Sequence, residues 1–251
     1  MTFQNDNEPV FTSHDLLAHH RANGQLPEFP PPRAVIFAPQ KSLANYVLRR
    51  HSTRRIKGFP GEFYLLKRTN GQVAISTGFG IGAPVVAGLA DEFAALGVKQ
   101  FALIGMAGGL QPELNTGSLV ICRNAIRGEG VSQHYLSPHV TVDASGEMAN
   151  GLSEMLTKRN QSHTVGTVWT TDAPFRELRK IVLEHQHAGV LAVDMEAAAL
   201  LSVARSMDLS AVAMFSIADQ LADGHWSMAK NLRPAQSGLE ILFDALFEYL
   251  T

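Results

Sequence analysis

Two acidic stretches in the second half of the chain each follow an apolar run. Residues 190–193 are apolar, and they precede Asp194, Met195, Glu196 and a series of strong helix formers. The pattern predicts a buried strand that ends where a helix begins, and open α/β sheets bind ligands at such strand ends. A carboxylate there can hold the vicinal diol of a sugar, with Met195 as an apolar floor. Alternatively, Asp194 only caps the helix and Glu196 only favours its positive end.

A second apolar run, residues 210–217, is predicted to be the next strand and to deliver Asp219 and Gln220 into a loop. A partly desolvated Asp at a strand end can give a proton to a leaving group or share one with it. The alternative is an ordinary loop acid that starts a helix. The two runs together predict that Glu196 and Asp219 lie on adjacent strand ends and share one site.

These motifs occur among ordered blocks that resemble the nucleoside phosphorylase superfamily. V-D-M-E-A-A-A-L at 193–200, followed by S-I-A-D-Q at 216–220, resembles the Met-Glu signature and the catalytic Asp of that group. The group includes purine nucleoside phosphorylases, uridine phosphorylases and methylthioadenosine nucleosidases. Further matching blocks are G-I-G-A-P at 80–84, I-G-M-A-G-G-L-Q-P at 104–112 and W-T-T-D-A-P-F-R-E at 169–177.

The resemblance implies a fold and a domain organisation. We expect an α/β protein, a single-domain three-layer α/β/α sandwich with a mixed central β-sheet. Residues 1–33 are predicted to be an N-terminal arm, and residues 34–251 the catalytic domain. The alternation of predicted strands and helices favours the same architecture. Members of the family build sites between subunits, so a homo-oligomer with sites near its interfaces is expected.

The resemblance also implies roles for individual residues. Glu196 would hold the sugar hydroxyls, with Met195 packed alongside, and Asp219 would hydrogen-bond to N7 of a purine. Uridine phosphorylases generally lack an Asp at this place, so Asp219 favours a purine, although the usual Ser before it is replaced by Ala218. The predicted base-binding residues are Phe175, which can stack on a planar base, Arg176, which can read a base carbonyl, Asp219, and Ala107 and Gly108 in a predicted glycine-rich turn.

The site for the second substrate departs from the family pattern. Phosphorolytic members use three arginines, whereas the aligned positions here hold Leu43, Pro60 or Gly61, and Leu103. A dianion needs charged partners, each worth about 1.5 to 3 kcal/mol. The candidates for a phosphate or water site are Met106, Lys41, Ser42 and Arg127, with Arg54 and Arg55 as possible replacements from displaced positions and Glu62 as a possible base.

Three functions follow from this pattern. The first is phosphorolysis of a nucleoside, purine favoured over uridine, to free base and pentose 1-phosphate, with inorganic phosphate as co-substrate at an atypical site. The second is hydrolysis by water, as in nucleosidases that share the A-G-G-L turn. The third is a nucleoside-binding protein without turnover. We expect no cofactor and no metal.

Composition bounds the remaining possibilities. The chain has 251 residues, 45% of them hydrophobic and 18% charged, a net charge of -2 and a single cysteine, Cys122. These values suit one compact domain in a reducing compartment without an internal disulfide. Scattered Lys and Arg argue against a nucleic acid partner. Residues 1–8 lack a signal-peptide pattern and no segment is long enough to span a membrane, so we expect a cytoplasmic protein.

Overall fold

The computed structural model describes residues 9–251; residues 1–8, with which the predicted arm begins, lie outside them. The helices are α1 (Ser13–Ala22), α2 (Lys41–Arg50), α3 (Ala83–Leu96), α4 (Gly146–Lys158), α5 (Arg179–His187), α6 (Ala197–Ser206) and α7 (Arg233–Tyr249). The strands are β1 (Ala34–Ala38), β2 (Thr53–Ile56), β3 (Glu62–Leu66), β4 (Val73–Thr77), β5 (Gln100–Gly109), β6 (Leu119–Gly128), β7 (Val142–Asp143), β8 (His163–Thr171), β9 (Ala192–Asp194), β10 (Ser210–Gln220) and β11 (Ser227–Met228).

The described strands form one mixed sheet in the order β11-β10-β6-β8-β9-β5-β1-β4-β3-β2, with β7 beside β6. Part of this sheet closes on itself, because β10 pairs with β5 as well as with β6. The closed part consists of β5, β10, β6, β8 and β9, each hydrogen-bonded to the next. This closure brings the carboxyl ends of β5 and β10 and the short strand β9 together.

Helices cover both faces of the sheet and complete the predicted three-layer α/β/α sandwich. Helices α3 and α6 pack on one face, and their apolar side chains join those of β1, β5 and β10 in one core. Helices α2, α4 and α7 pack on the other face around a second core. Helix α1 lies against α3, and Ser13 Oγ donates to Asp91 Oδ1 at 2.6 Å. No helix among residues 9–251 has the length and apolar composition needed to cross a bilayer.

Local sequence explains where the helix at the site begins and ends. Gly82 precedes α3 with φ 107°, and Pro84 stands in its first turn, where a missing N–H costs nothing. Gly97 ends the helix in the left-handed region at φ 109°. The start of α3 is thereby fixed, and the N–H of Gly82, which precedes it, donates to Glu196 Oε1.

Most elements predicted from sequence are present; one strand was not predicted, and three further expectations are wrong. Strand β2 was not expected, since its two arginines are exposed and give no apolar pattern. The predicted turn at residues 105–109 is the second half of β5, and the predicted loop at Asp219 is the end of β10 after a bulge. Strands β9 and β10 are not neighbours, because β5 lies between them.

The core of the first face contains a cluster of phenylalanines. Phe93 on α3 packs on Phe63 with ring centroids 4.6 Å apart and on Phe37 at 5.9 Å, and all three side chains are buried. Phe93→Ala should lower the free energy of unfolding by about 3–5 kcal/mol, because it removes buried area and leaves a cavity. Urea denaturation measures this change. Phe175→Ala, at a ring that is 98% exposed, is the control and should leave the stability nearly unchanged.

Candidate active site

One cleft lies where β5, β9 and β10 end. Its volume is about 670 Å³, within the range of small-molecule sites. The backbone turns that follow β8 and precede α3 complete its walls. The lining residues are Gln40, Ile81, Met106, Ala107, Gly108, Pro174, Phe175, Glu177, Val193, Asp194, Met195, Glu196, Ala218, Asp219, Leu221 and Trp226.

Gly108 on β5 is the residue on which the strands converge. It is in register with Val193 of β9 on one side and with Asp219 of β10 on the other. A Cβ at this position would collide with Leu221 and would lie 3.2 Å from Val193 Cγ1. Glycine therefore leaves room for the side chains of Leu221 and Val193, which also line the cleft. The predicted site residues Ala107 and Gly108 thus lie in the cleft as strand residues.

Glu196 is held at the start of α6 with its carboxylate pointing at the first turn of α3. Gly82 N–H donates to Glu196 Oε1 at 2.6 Å. The side chain is buried, and burial raises its pKa, while the hydrogen bonds from the backbone of Gly82 and Met195 oppose the rise. The glycine turn at residues 80–82 therefore faces an internal carboxylate.

Asp194 caps the start of helix α6, as the simpler of the two interpretations of this stretch predicted. Its Oδ1 accepts from the backbone N–H groups of Glu196 at 2.6 Å and Ala197 at 2.8 Å, and Thr170 Oγ1 donates to it as well. The carboxyl is 3% exposed. Burial, and then the charge of Glu196, raise its pKa to about 7 against these hydrogen bonds.

Asp219 lies on the opposite side of β5 from Glu196 and lines the same cleft. The bulge in β10 between Ile217 and Asp219 shifts the register at this point. Trp226 Nε1–H donates to Asp219 Oδ2 at 2.7 Å from the loop that joins β10 to β11. The two carboxylates that the sequence selected thus share one cavity, although their strands are not adjacent.

Glu177 is a cleft residue that the sequence analysis missed as a functional group. It follows the short turn 174–176 and is half-buried in the wall of the cleft. Burial, and then the charge of Asp219, raise its pKa to about 7. One sequence signal marked Glu177, its place at the end of the block W-T-T-D-A-P-F-R-E. A charged residue beside a predicted helix start is usually solvated, so this signal did not indicate a functional group.

Exposed apolar side chains surround the mouth of the cleft. Phe175 is 98% exposed, Trp226 67% and Ile81 64%, and all three also line the cavity. Aromatic rings at this place can stack on a heterocycle or pack against another protein surface. Arg176, in contrast, is exposed and does not line the cleft, so this chain alone gives it no contact with a bound base.

The candidates for a phosphate or water site are separated by the structure. Met106 lines the cleft, whereas Lys41 and Ser42 lie on α2 outside it, behind Gln40. Arg127 donates to Ser132 Oγ and to the carbonyl oxygens of three residues of the loop that follows, so its guanidinium organises that loop. Two other candidates, Arg55 and Glu62, pair with each other at 3.3 Å on β2 and β3.

The charges in the lining are all of one sign. Four carboxyl groups line the cleft, and no Lys, Arg or His of the described residues does. Gln40 lies in the lining, and its Oε1 is buried without a hydrogen-bond partner in the described part of the chain. The cleft therefore offers acceptors for hydroxyl groups and favours positive charge, while within residues 9–251 no cationic side chain in its lining attracts an anion.

Residues 32–248 match the family model described as the phosphorylase superfamily. The chain belongs to the phosphorylase superfamily. The match covers most of the chain and confirms the resemblance and the α/β fold inferred from the sequence blocks. The sequence blocks that carry the resemblance also form the cleft described above.

Curated relatives are similar at low identity. A guanosine phosphorylase of Halorubrum lacusprofundi is 29% identical over 146 residues, which are 58% of this chain and 61% of that protein. A uridine phosphorylase of Escherichia coli is 27% identical over 57% of this chain and 62% of its own length. A DeoD-type purine nucleoside phosphorylase of Brevibacillus brevis is 25% identical over 78% and 82%. The chain thus spans about three fifths of the first two relatives.

The raised pKa of Asp194 predicts a pH-dependent stability. The folded protein binds this proton more tightly than the unfolded chain, so the stabilising contribution is present below about pH 4 and is lost as the pH rises through about 7. Asp194→Asn keeps an oxygen for the N–H donors and removes the titration. Relative to this variant, the wild type should lose stability between about pH 5 and pH 8 in urea denaturation.

The control is Asp208→Asn, at an exposed residue with φ 56° that asparagine accepts readily. Its stability should follow that of the wild type at both pH values. A difference between the wild type and Asp194→Asn that stays constant with pH would contradict the assignment.

Proposed function

We propose that this superfamily member cleaves the N-glycosidic bond of a purine nucleoside by phosphorolysis, giving a free base and a pentose 1-phosphate. The observation that carries the proposal is that Glu196 and Asp219 line one cleft at the end of β5. Its volume of about 670 Å³ suits a nucleoside with a small co-substrate. The relatives named as guanosine and purine nucleoside phosphorylases support the reaction class.

Glu196 acts on the sugar. Breaking the glycosidic bond builds positive charge on the pentose, and a buried carboxylate stabilises that charge more strongly than water does. Gly82 holds one carboxylate oxygen at 2.6 Å, which leaves the other free for sugar hydroxyls. Met195, in the same lining, supplies an apolar contact beneath the ring.

Asp219 acts on the base. Negative charge builds on the departing purine, and a hydrogen bond at N7, with one proton between the two groups, makes the base a better leaving group. Phe175 and Trp226 provide rings for stacking at the same end of the cleft. Uridine phosphorylases generally lack an Asp at the position of Asp219, and this favours a purine as the substrate.

Hydrolysis by water is the second candidate, and the charges in the lining favour it. Four carboxyl groups with no cation among them repel a phosphate dianion, whereas water is not repelled. Phosphorolysis by this chain therefore requires cations from outside the described lining. A homo-oligomer in which a second copy covers the exposed Ile81, Phe175 and Trp226 can supply them.

Glu196→Gln and Asp219→Asn should each lower kcat/KM for base release by about 100-fold or more, because each removes a charge that stabilises the transition state. Both replacements keep an oxygen for the hydrogen bonds from Gly82 and Trp226. Release of free base, followed by chromatography, measures the effect. Asp223→Asn, an exposed loop acid near Asp219, is the matched control. Unchanged turnover in either cleft variant would refute the site.

Phosphate dependence separates the two candidate reactions. Purine and pyrimidine nucleosides are incubated with the protein with and without inorganic phosphate, and the sugar product is identified. Phosphorolysis should give a sugar 1-phosphate and stop when phosphate is removed. Free pentose at the same rate in both conditions would establish hydrolysis instead. Thermal stabilisation by a nucleoside without any product would indicate binding alone.

A further inference from the structure

Glu177 and Asp219 form a pair of acids in one wall of the cleft. Glu177 enters from the turn before α5, and Asp219 from the end of β10. The charged groups around Glu177 are Arg176 and Arg179 on its own segment, Asp219 on β10, and Asp194 and Glu196 elsewhere in the same lining. After burial, the charge of Asp219 is the cause that raises the pKa of Glu177.

The neighbour of Asp219 distinguishes the two acids. Trp226 Nε1–H can only donate, so Asp219 Oδ2 must accept the hydrogen bond at 2.7 Å. This bond occupies one oxygen of Asp219 as an acceptor. Glu177 has no hydrogen bond of this kind among the described side chains, and it is half-buried. Glu177 is therefore the acid whose carboxyl group remains available to bring a proton into the cleft.

We propose that Glu177 is the acid that supplies the proton shared between Asp219 and N7 of the leaving purine. This inference rests on the proposed function and adds a catalytic residue to it. The raised pKa of Glu177, about 7, supports it, because an acid with a pKa near the working pH is protonated often enough and releases its proton readily.

The step balances without a further reagent. The bond between C1′ and N9 breaks, and its electron pair moves to the purine. The O–H bond of Glu177 breaks, and its proton binds N7, so the base leaves neutral. An oxygen of phosphate, or of water, forms the new bond to C1′ and gives up its own proton. Glu177 takes up a proton from solvent, and the site is restored.

The test is Glu177→Gln, assayed on a purine nucleoside and on its 7-methylated form. The 7-methylated base carries a positive charge and leaves without a proton, so its cleavage needs no acid. At about pH 6, kcat for the ordinary nucleoside should fall by about 100-fold or more, with KM nearly unchanged. Cleavage of the 7-methylated form should stay close to the wild-type rate, and this also reports that the variant is folded.

The pH profile gives a second readout. Because Glu177 must be protonated, wild-type kcat/KM for the ordinary nucleoside should fall as the pH rises above about 7, and this fall should be absent in Glu177→Gln. Glu184→Gln on α5 is the control; its side chain is exposed and pairs with Lys180 at 3.8 Å. It should behave as the wild type with both substrates.

Two results would overturn the inference. An equal loss on both substrates, or a loss confined to KM, would make Glu177 a binding residue, and the proposed function would stand. A fall above neutral pH that persists in Glu177→Gln would place the acid elsewhere. Failure of the wild type to cleave any nucleoside would instead remove the proposed function and the inference together.

Discussion

The site depends on the close packing of three strand segments around the glycines that end β5. Strand β9 pairs with one side of Gly108 and β10 with the other, and a side chain at that position would collide with Leu221. A side chain at Gly108 would force Leu221 and Val193, which also line the cleft, to shift. The pairing brings carboxylates from two strands that are not neighbours to one cavity. A bulkier residue at position 108 would therefore change the shape of the cleft that Glu196 and Asp219 share.

A buried carboxylate also needs a partner, and the first turn of α3 provides it. Desolvation disfavours the charged form of Glu196, and the Gly82 N–H at 2.6 Å offsets part of that cost. Helix N-termini are common anion sites, and here the anion belongs to the protein itself. The glycine-rich turn therefore orients Glu196, the acid proposed to bind the sugar. It leaves the N–H of Gly82 occupied, which adds to the shortage of partners for phosphate.

The sequence predicted the layers, most strands and helices, and the two central acids, because apolar periodicity and short blocks carry that information. It failed where contacts between distant residues decide. The glycine run at residues 105–109 was interpreted as a turn. It is extended because β5 pairs with both β9 and β10, and the sequence alone does not show this pairing. Arg127 was a candidate for phosphate, and only the fold shows that it binds its own loop. Glu177 was missed because its burial and its proximity to Asp219 arise from tertiary packing.

The four carboxyl groups that line the cleft affect both halves of the proposed reaction, which are cleavage of the glycosidic bond and transfer of a proton to the base. Burial, and then the charge of Asp219, favour protonation of Glu177. In the proposed reaction, a positive charge on the sugar would oppose this effect. At an effective dielectric constant of about 20, a unit charge about 6 Å away changes the energy of a carboxyl by about 3 kcal/mol, or about two pKa units. If the proposed reaction holds, growth of charge on the sugar would make Glu177 a stronger acid as the base begins to need its proton, so that glycosidic cleavage and proton release would be coupled electrostatically without direct contact between the two groups.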